Sequence, residues 1–299
     1  MPPSAIALAF SLALPATCLS TQRPKLLTSG DLASFESPEP DHRIVYGEDP
    51  LQFGELRLPQ GAGPHPVAIL IHGGCWLSEY DITHLRKLAA AVTRTGVATW
   101  TLEYRRVGNE GGGWPGTFQD VARGADHLRA LAKPHALDLD RVLAVGHSAG
   151  GHLALWLAAR SKLTDREPFR AENPVLPGAV LGLAPAPDLA YLHEQGSCGG
   201  VIEKLLGGSP ESKPDRYATG SPMNLAPLGV PQVLLLGRHD DNWTPVGRRY
   251  FERAKSAGDD VRLVEAPESG HFEMIDPDST TWRLVSDALR ELLETLMVR

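Results

Sequence analysis

Apolar residues in this chain gather into short unbroken runs, and between the runs they recur at helical spacing. Residues 67–71 read Val-Ala-Ile-Leu-Ile, and residues 141–145, 179–183 and 232–236 are similar runs bounded by Gly, Pro or Asp. Runs of this length predict strands buried on both faces of a sheet. Residues 96–103 and 261–265 predict two more strands. Residues 43–58 alternate about a turn at 47–50 and predict an antiparallel hairpin at a sheet edge. Helices are predicted over 81–93, over 117–131 with Phe118, Val121, Ala125 and Leu128 on one face, from 150 to about 159, and over 278–297. Residues 111–116 are too rich in glycine for regular structure.

Strands alternate with helices along most of the chain, which predicts an α/β fold: a mostly parallel central sheet with helices on both faces. The pattern shows no internal repeat and no second apolar core, so residues 42–299 read as a single domain. Residues 185–227 form the longest stretch without a central strand and predict a small lid segment or excursion. Residues 23–41 read as a mostly polar lead-in. Residues 6–16 form an apolar run of signal-peptide length, too short to span a bilayer and lacking a basic flank. Residues 1–22 are therefore expected to be a signal peptide or a disordered leader. Secretion or a periplasmic site is the expectation, with a cytoplasmic protein as the alternative.

The chain has 299 residues, 42% of them apolar and 22% charged, enough for a sizeable core. Its 29 basic and 36 acidic side chains give a net charge of −7, without a basic block that would track nucleic acid. After residue 22 nothing reads as membrane-inserting. The three cysteines, Cys18, Cys75 and Cys198, have neither metal-ligand spacing nor a disulfide framework. A Cys75–Cys198 bridge is one option, but the expectation is two free thiols. No metal or other cofactor is implied.

Gly146-His147-Ser148-Ala149-Gly150 sits between an apolar strand and a helix of small residues. In that context the glycines permit a sharp strand-to-helix turn that exposes the serine oxygen above the sheet. Ser148 is thus the candidate nucleophile. His72-Gly73-Gly74-Cys75-Trp76 follows the first buried strand, and its glycines suit backbone N–H donors for a developing oxyanion. A nucleophilic serine needs a base and an orienting acid, and after this turn they come in the order acid, then histidine. Strand 232–236 runs into Gly237-Arg238-His239-Asp240-Asp241, and strand 261–265 is followed by Ser269-Gly270-His271-Phe272. His271 is the candidate base. His147 and His152 lie too close to Ser148 along the chain to face it as a base, and His239 reads as structural. Asp240 is favoured as the acid. Asp241 is the alternative, and otherwise caps the turn before Pro245 or meets solvent. His239, Asp240 and Asp241 as metal ligands are disfavoured because adjacent residues rarely converge on one ion.

Taken together, these motifs resemble the α/β-hydrolase superfamily, and within it the carboxylesterase, hormone-sensitive-lipase and kynurenine-formamidase-like branch. The similarity runs from about residue 43 to 296. The resemblance implies an α/β-hydrolase fold and oxyanion donors on the backbone N–H groups of Gly74, Cys75 and Ala149. Cys75 stands where lipase-like members have a third glycine. A backbone donor survives that change, while the side chain reshapes the pocket. The three-residue interval from Gly237 to Asp240 also matches the family pattern for the acid.

The expected function is a serine carboxylesterase acting on small, short-acyl or aromatic esters through a covalent acyl-enzyme. Arylformamidase activity and feruloyl or acetyl-sugar ester cleavage are alternatives, and a non-catalytic binding module on a hydrolase scaffold is a remote one. Trp76, Trp114 and Trp243 lie in or beside loops at the catalytic edge and are candidates for the substrate pocket, or else pack those loops against the core. The expected partner is a small-molecule ester.

Overall fold

Five consecutive apolar residues cannot all be buried by a sheet with one wet face, and Val67–Ile71 meet that constraint by lying at the centre of eight strands. The computed structural model describes residues 25–163, 165 and 168–298, so the leader expected at residues 1–22 lies outside the described residues. The strands are β1 (His42–Val45), β2 (Phe53–Arg57), β3 (His65–Ile71), β4 (Ala98–Leu102), β5 (Leu137–His147), β6 (Ala179–Leu183), β7 (Gln232–Gly237) and β8 (Val261–Ala266). Their spatial order is β1-β2-β4-β3-β5-β6-β7-β8. The hairpin β1–β2 pairs antiparallel and joins β4 antiparallel, and every later pair is parallel. This is the α/β-hydrolase arrangement.

Successive strand residues send their side chains to opposite faces, so every second residue shares one. Val67, Ile69 and Ile71 join a core with Trp100, Phe118, Val121, Leu153 and Leu157, beneath α2 (Gly116–Asp126), α3 (Leu128–Ala132) and α4 (Ala149–Ala159). Ala68 and Leu70 join Leu88, Val92, Val285 and Leu289 beneath α1 (Arg86–Arg94) and α10 (Trp282–Val298). Helix α4 is buried all round, as its small and apolar sequence Ala-Gly-Gly-His-Leu-Ala-Leu-Trp requires.

The helix expected over 117–131 is divided at His127 into α2 and α3. Strand β5 extends beyond the expected 141–145 at both ends. Its early part pairs with His65 and Pro66, and the register shifts between Pro66 and Val67. Residues 185–227 carry four short helices: α5 (Leu189–Glu194), α6 (Ser197–Leu206), α7 (Pro214–Gly220) and α8 (Pro222–Leu225). Helix α9 (Thr244–Ser256) begins with Pro245 in its first turn and was not legible as an apolar stripe.

Cys75 and Cys198 are joined by a disulfide across 123 residues, with their Cα atoms 5.9 Å apart. This corrects the expectation of two free thiols. The two positions are remote in sequence, and only the folding of α6 over the loop after β3 brings them together.

Candidate active site

The turn after β5 is built by close approach. A Cβ on Gly146 would run into the carbonyl of Gly150, and one on Gly150 into the carbonyl of Ile71. Between them Ser148 adopts φ 56° and ψ −119°, a strained conformation for a residue with a side chain. Its N–H is spent on the Leu183 carbonyl at 2.9 Å, which pins the turn to β6. Ala149 begins α4, so its N–H has no intrahelical acceptor and lies at the positive end of the helix. The loop after β3 comes so close that a Cβ on Gly73 would lie 3.1 Å from that of Ser148. Gly74, Cys75 and Trp76 all have positive φ (102°, 54° and 54°).

Loops after β7 and β8 bring the acid and the histidine together. His271 Nδ1 lies 2.6 Å from Asp240 Oδ2. The other carboxylate oxygen of Asp240 accepts the Trp243 N–H at 3.2 Å, and the Asp240 carbonyl accepts that of Thr244. Asp240 therefore does the capping expected of Asp241. Asp240 is buried and Asp241 is exposed. A cavity of about 140 Å³ is lined by Ser148, His271, Gly74, Cys75, His84, His147 and Trp243, with Ser29, Tyr80 and Phe272 completing its wall. Beyond Trp243 lies a second, more polar pocket of about 350 Å³, lined by Tyr191, Gln195, Ser197, Cys198, Asp241, Asn242, Trp243 and Pro245.

Of the three candidate pocket tryptophans, only Trp243 takes that position, stacked over His271 with centroids 5.4 Å apart. Trp76 is fully buried, its indole N–H donating to His152 Nδ1 at 3.2 Å. Trp114 packs edge-on against Phe118 and Phe169, and its backbone N–H donates to the Leu205 carbonyl. The pocket expectation for Trp76 and Trp114 is thus corrected. Both rings turn inward, where they bury more apolar area than a loop rim allows.

Two histidines that sequence reasoning set aside or passed over also reach the site. His147 Nε2 lies 2.8 Å from the His271 carbonyl, and His147 Nδ1 lies 2.8 Å from His84 Nε2. The carbonyl can only accept, so neutral His147 carries its proton on Nε2 and accepts from the Nε2–H of His84. Burial holds both neutral: it pushes His84 down to about 3, helped by neighbouring His72 and His271, and pushes His147 well below its usual range. The lead-in reaches the same loop, where Glu273 accepts the N–H groups of Leu27 and Gly270. No short-range signal marks Ser29, His84 or Glu273, because their neighbours come from other elements.

Under the loop after β3, His72 is fully buried and held down to about 3 by burial and by Arg106. Its Nδ1–H donates to the Gly73 carbonyl at 2.8 Å, and its Nε2 accepts from Arg106 Nη1 at 3.2 Å. Arg106 is ion-paired with buried Glu103, which also accepts the Ile82 N–H at 2.9 Å. Tyr104 Oη donates to the His72 carbonyl at 2.7 Å. Among the described residues, no group of three or more His, Cys, Asp or Glu side chains is arranged to hold a metal ion, and no helix is long and apolar enough to cross a membrane.

Comparison with known proteins adds a family. The BD-FAE family model matches residues 55–249. The chain is 25% identical over 248 residues to the esterase LipC of Mycobacterium tuberculosis, covering 78% of this chain and 60% of that protein. It therefore spans about three-fifths of that relative's length. Among solved structures, Esterase B from Lactobacillus rhamnosis superposes with a TM-score of 0.74 at 18% identity, over 89% of this chain and 90% of that one. An acetyl ester-xyloside bifunctional hydrolase from Caldicellulosiruptor lactoaceticus superposes with a TM-score of 0.70 at 19% identity, over 86% and 97%.

Proposed function

The chain belongs to the BD-FAE family of α/β-hydrolases, and from that premise we propose that it is a serine carboxylesterase of small, short-acyl or aromatic esters. One observation carries the reading: His271, held at 2.6 Å by Asp240 behind it, lines the same cavity as Ser148, Gly74 and Cys75. Ser148 Oγ attacks the ester carbonyl as His271 Nε2 takes its proton. Asp240 keeps the remaining proton on Nδ1 and offsets the imidazolium charge. The N–H groups of Gly74, Cys75 and Ala149 receive the oxyanion. His271 then protonates the leaving alcohol, and water repeats the attack on the acyl-enzyme.

The cavity volume of about 140 Å³, walled by Tyr80, Trp243 and Phe272, favours a short or flat acyl group. Hydrolysis of nitrophenyl acetate, butyrate and longer esters tests the reading against a Ser148→Ala control. Cleavage should be fastest on the short chains. Absence of cleavage above the control at every length defeats the proposal, and better turnover of formylkynurenine than of any ester would make the protein an arylformamidase.

A second reading concerns the alcohol. The polar pocket beyond Trp243 offers Tyr191, Gln195, Ser197, Asp241 and Asn242 to a hydroxyl-rich leaving group, which supports acetylated or feruloylated sugars as substrates. The Caldicellulosiruptor neighbour is named as an acetyl ester-xyloside hydrolase. A panel of acetylated xylo-oligosaccharides against phenyl acetate decides: higher kcat/KM on the sugars is expected under this reading. We also place the protein outside the cytoplasm. The apolar run at residues 6–16 and the Cys75–Cys198 disulfide both support an oxidising compartment, and the N-terminal sequence of the expressed protein checks it.

A further inference from the structure

We propose that the Cys75–Cys198 disulfide is the positioning element of the oxyanion loop, so that turnover depends on the oxidation state of this one bond. The inference rests on the reading of Ser148 as nucleophile and Gly74 and Cys75 as oxyanion donors.

Three consecutive residues of the loop, Gly74, Cys75 and Trp76, adopt positive φ. Glycine tolerates this freely, and the other two do not. Trp76 is held by full burial, by its indole bond to His152, and by its carbonyl, which accepts the Val107 N–H at 2.9 Å. Gly74 is held by its own turn, its carbonyl accepting the Leu77 N–H at 2.9 Å. Cys75 is only partly buried, and its bond to another element is the disulfide.

The far end of the bond is equally unusual. Cys198 has φ 53° and is flanked by Gly196, Gly199 and Gly200 at 61°, 64° and 77°. A Cβ added at any of these glycines would meet nothing within 4 Å. Packing therefore does not demand glycine there. The glycines let the chain curl back and deliver Cys198 to Cys75. Between the buried Leu192 and Val201 these glycines contribute no side chain, and the sulfur bridge is what ties the turn itself to the loop after β3. The bond also stands where the two pockets meet: Cys75 lines the catalytic cavity, Cys198 lines the polar pocket, and Trp243 lines both.

Donors aimed at an oxyanion accelerate the reaction only while they are fixed before it begins. Once the bond is opened, Cys75 is free to leave its disfavoured φ, and the peptide plane carrying its N–H turns with it. The opening is thiol–disulfide exchange with a dithiol. One thiolate attacks a sulfur of the bridge to form a mixed disulfide, and the second thiol of the reagent displaces it. The reagent leaves as a cyclic disulfide, and Cys75 and Cys198 each gain one electron and one proton.

The test uses the full chain and a short aryl ester. Peptide mapping of the untreated protein should recover Cys75 and Cys198 in one linked peptide. Dithiothreitol should lower kcat and kcat/KM together by ten-fold or more, with KM within two-fold, the signature of an interaction made only in the transition state. Reoxidation should restore the rate. Cys198→Ala should show the same low kcat and no response to dithiothreitol. A merely structural bond would lower the melting temperature and leave kcat at 25 °C unchanged. Reduced wild type or folded Cys198→Ala with kcat within two-fold of the oxidised protein overturns the proposal, as does recovery of the two cysteines as free thiols. Should Cys198→Ala fail to fold, the reduction and reoxidation cycle decides, with circular dichroism tracking the fold. Should the bond resist the reagent, Cys198→Ala decides. A Ser148→Ala variant that keeps full activity defeats the underlying site reading. Absence of the dithiothreitol effect, with Ser148 still essential, defeats only this inference.

Discussion

On one side of Ser148 the His72–Trp76 loop stands on buried charge and a covalent link. Arg106 pairs with Glu103, supports His72, and leaves Cys75 to its disulfide. On the other side the His271 loop stands on hydrogen bonds to its backbone, from His147 to the His271 carbonyl and from the Gly270 N–H to Glu273. The difference matches what each loop delivers. The first offers backbone donors, whose direction is set only if the main chain itself cannot move. The second offers a side chain, which Asp240 can orient after the loop has placed it. On the proposed roles, the first loop is fastened at its main chain, and the second leaves the final orientation to Asp240.

The largest expected effect separates the two aspartates on the base side. Asp240→Asn should lower kcat on a short aryl ester by about 10⁴-fold, because the acid holds the His271 tautomer and its charge. Asp241→Asn, at an exposed position, should cost less than about five-fold. Steady-state kinetics of both variants checks the pair, and the reverse order would move the acid by one residue.

On the oxyanion side, Glu103→Gln leaves the Arg106 charge buried and unpaired. The expected cost is about 3–5 kcal/mol of stability by denaturant titration, together with a lower kcat in the folded fraction. Lost stability with unchanged kcat would show that the charge cluster supports the fold but not the donors.

A smaller effect is expected when the His147 bond is removed. His147→Phe keeps the ring and loses the N–H to the His271 carbonyl, so kcat should fall about ten-fold, in line with one hydrogen bond of about 1–1.5 kcal/mol. An equal loss in His84→Phe would show that the two rings act as a unit.

The histidines also set a pH dependence of stability. His72 and His84 are held down to about 3 and His152 to about 4, in each case chiefly by burial. The unfolded chain binds protons at about 6.5 where the folded one does not. Stability is therefore full above about 6.5 and is lost as pH falls from there toward 4 and 3. The limit is about 1.4 kcal/mol per pH unit for each histidine. Melting temperatures from pH 7 to 4 check this, and His84→Phe should flatten the acid limb. The smallest change is expected from Trp114→Leu, away from both pockets, with kcat/KM on phenyl acetate within about three-fold. A larger loss would restore Trp114 to the substrate wall.

What was legible in the chain follows from how locally each feature is determined. The strand runs, the turn at Ser148 and the approach of His271 after the last strand could be read because the requirements act within a few residues. Gly146 and Gly150 are needed wherever a strand turns this sharply into a helix, and five apolar residues in a row need two dry faces. The helix Thr244–Ser256 was missed because its buried positions Val246, Tyr250 and Ala254 are diluted by charged residues. Nothing near Leu27 and Ser29 in the sequence hints that this segment runs across the His271 loop.

By itself, then, the sequence determined the order of the strands and the sharp glycine turn at Ser148, since both depend on backbone sterics and short-range periodicity, while the proposed order of nucleophile, acid and base came with the resemblance. Only the tertiary structure decided that Asp240 rather than Asp241 meets His271, that Trp243 alone of three tryptophans faces the cavity, that His84 and His147 bear on the base, and that Cys75 meets Cys198. Each of these is a matter of which way a side chain leaves its loop and which distant element it finds there. That is settled by packing across dozens of intervening residues, and no window along the chain contains it.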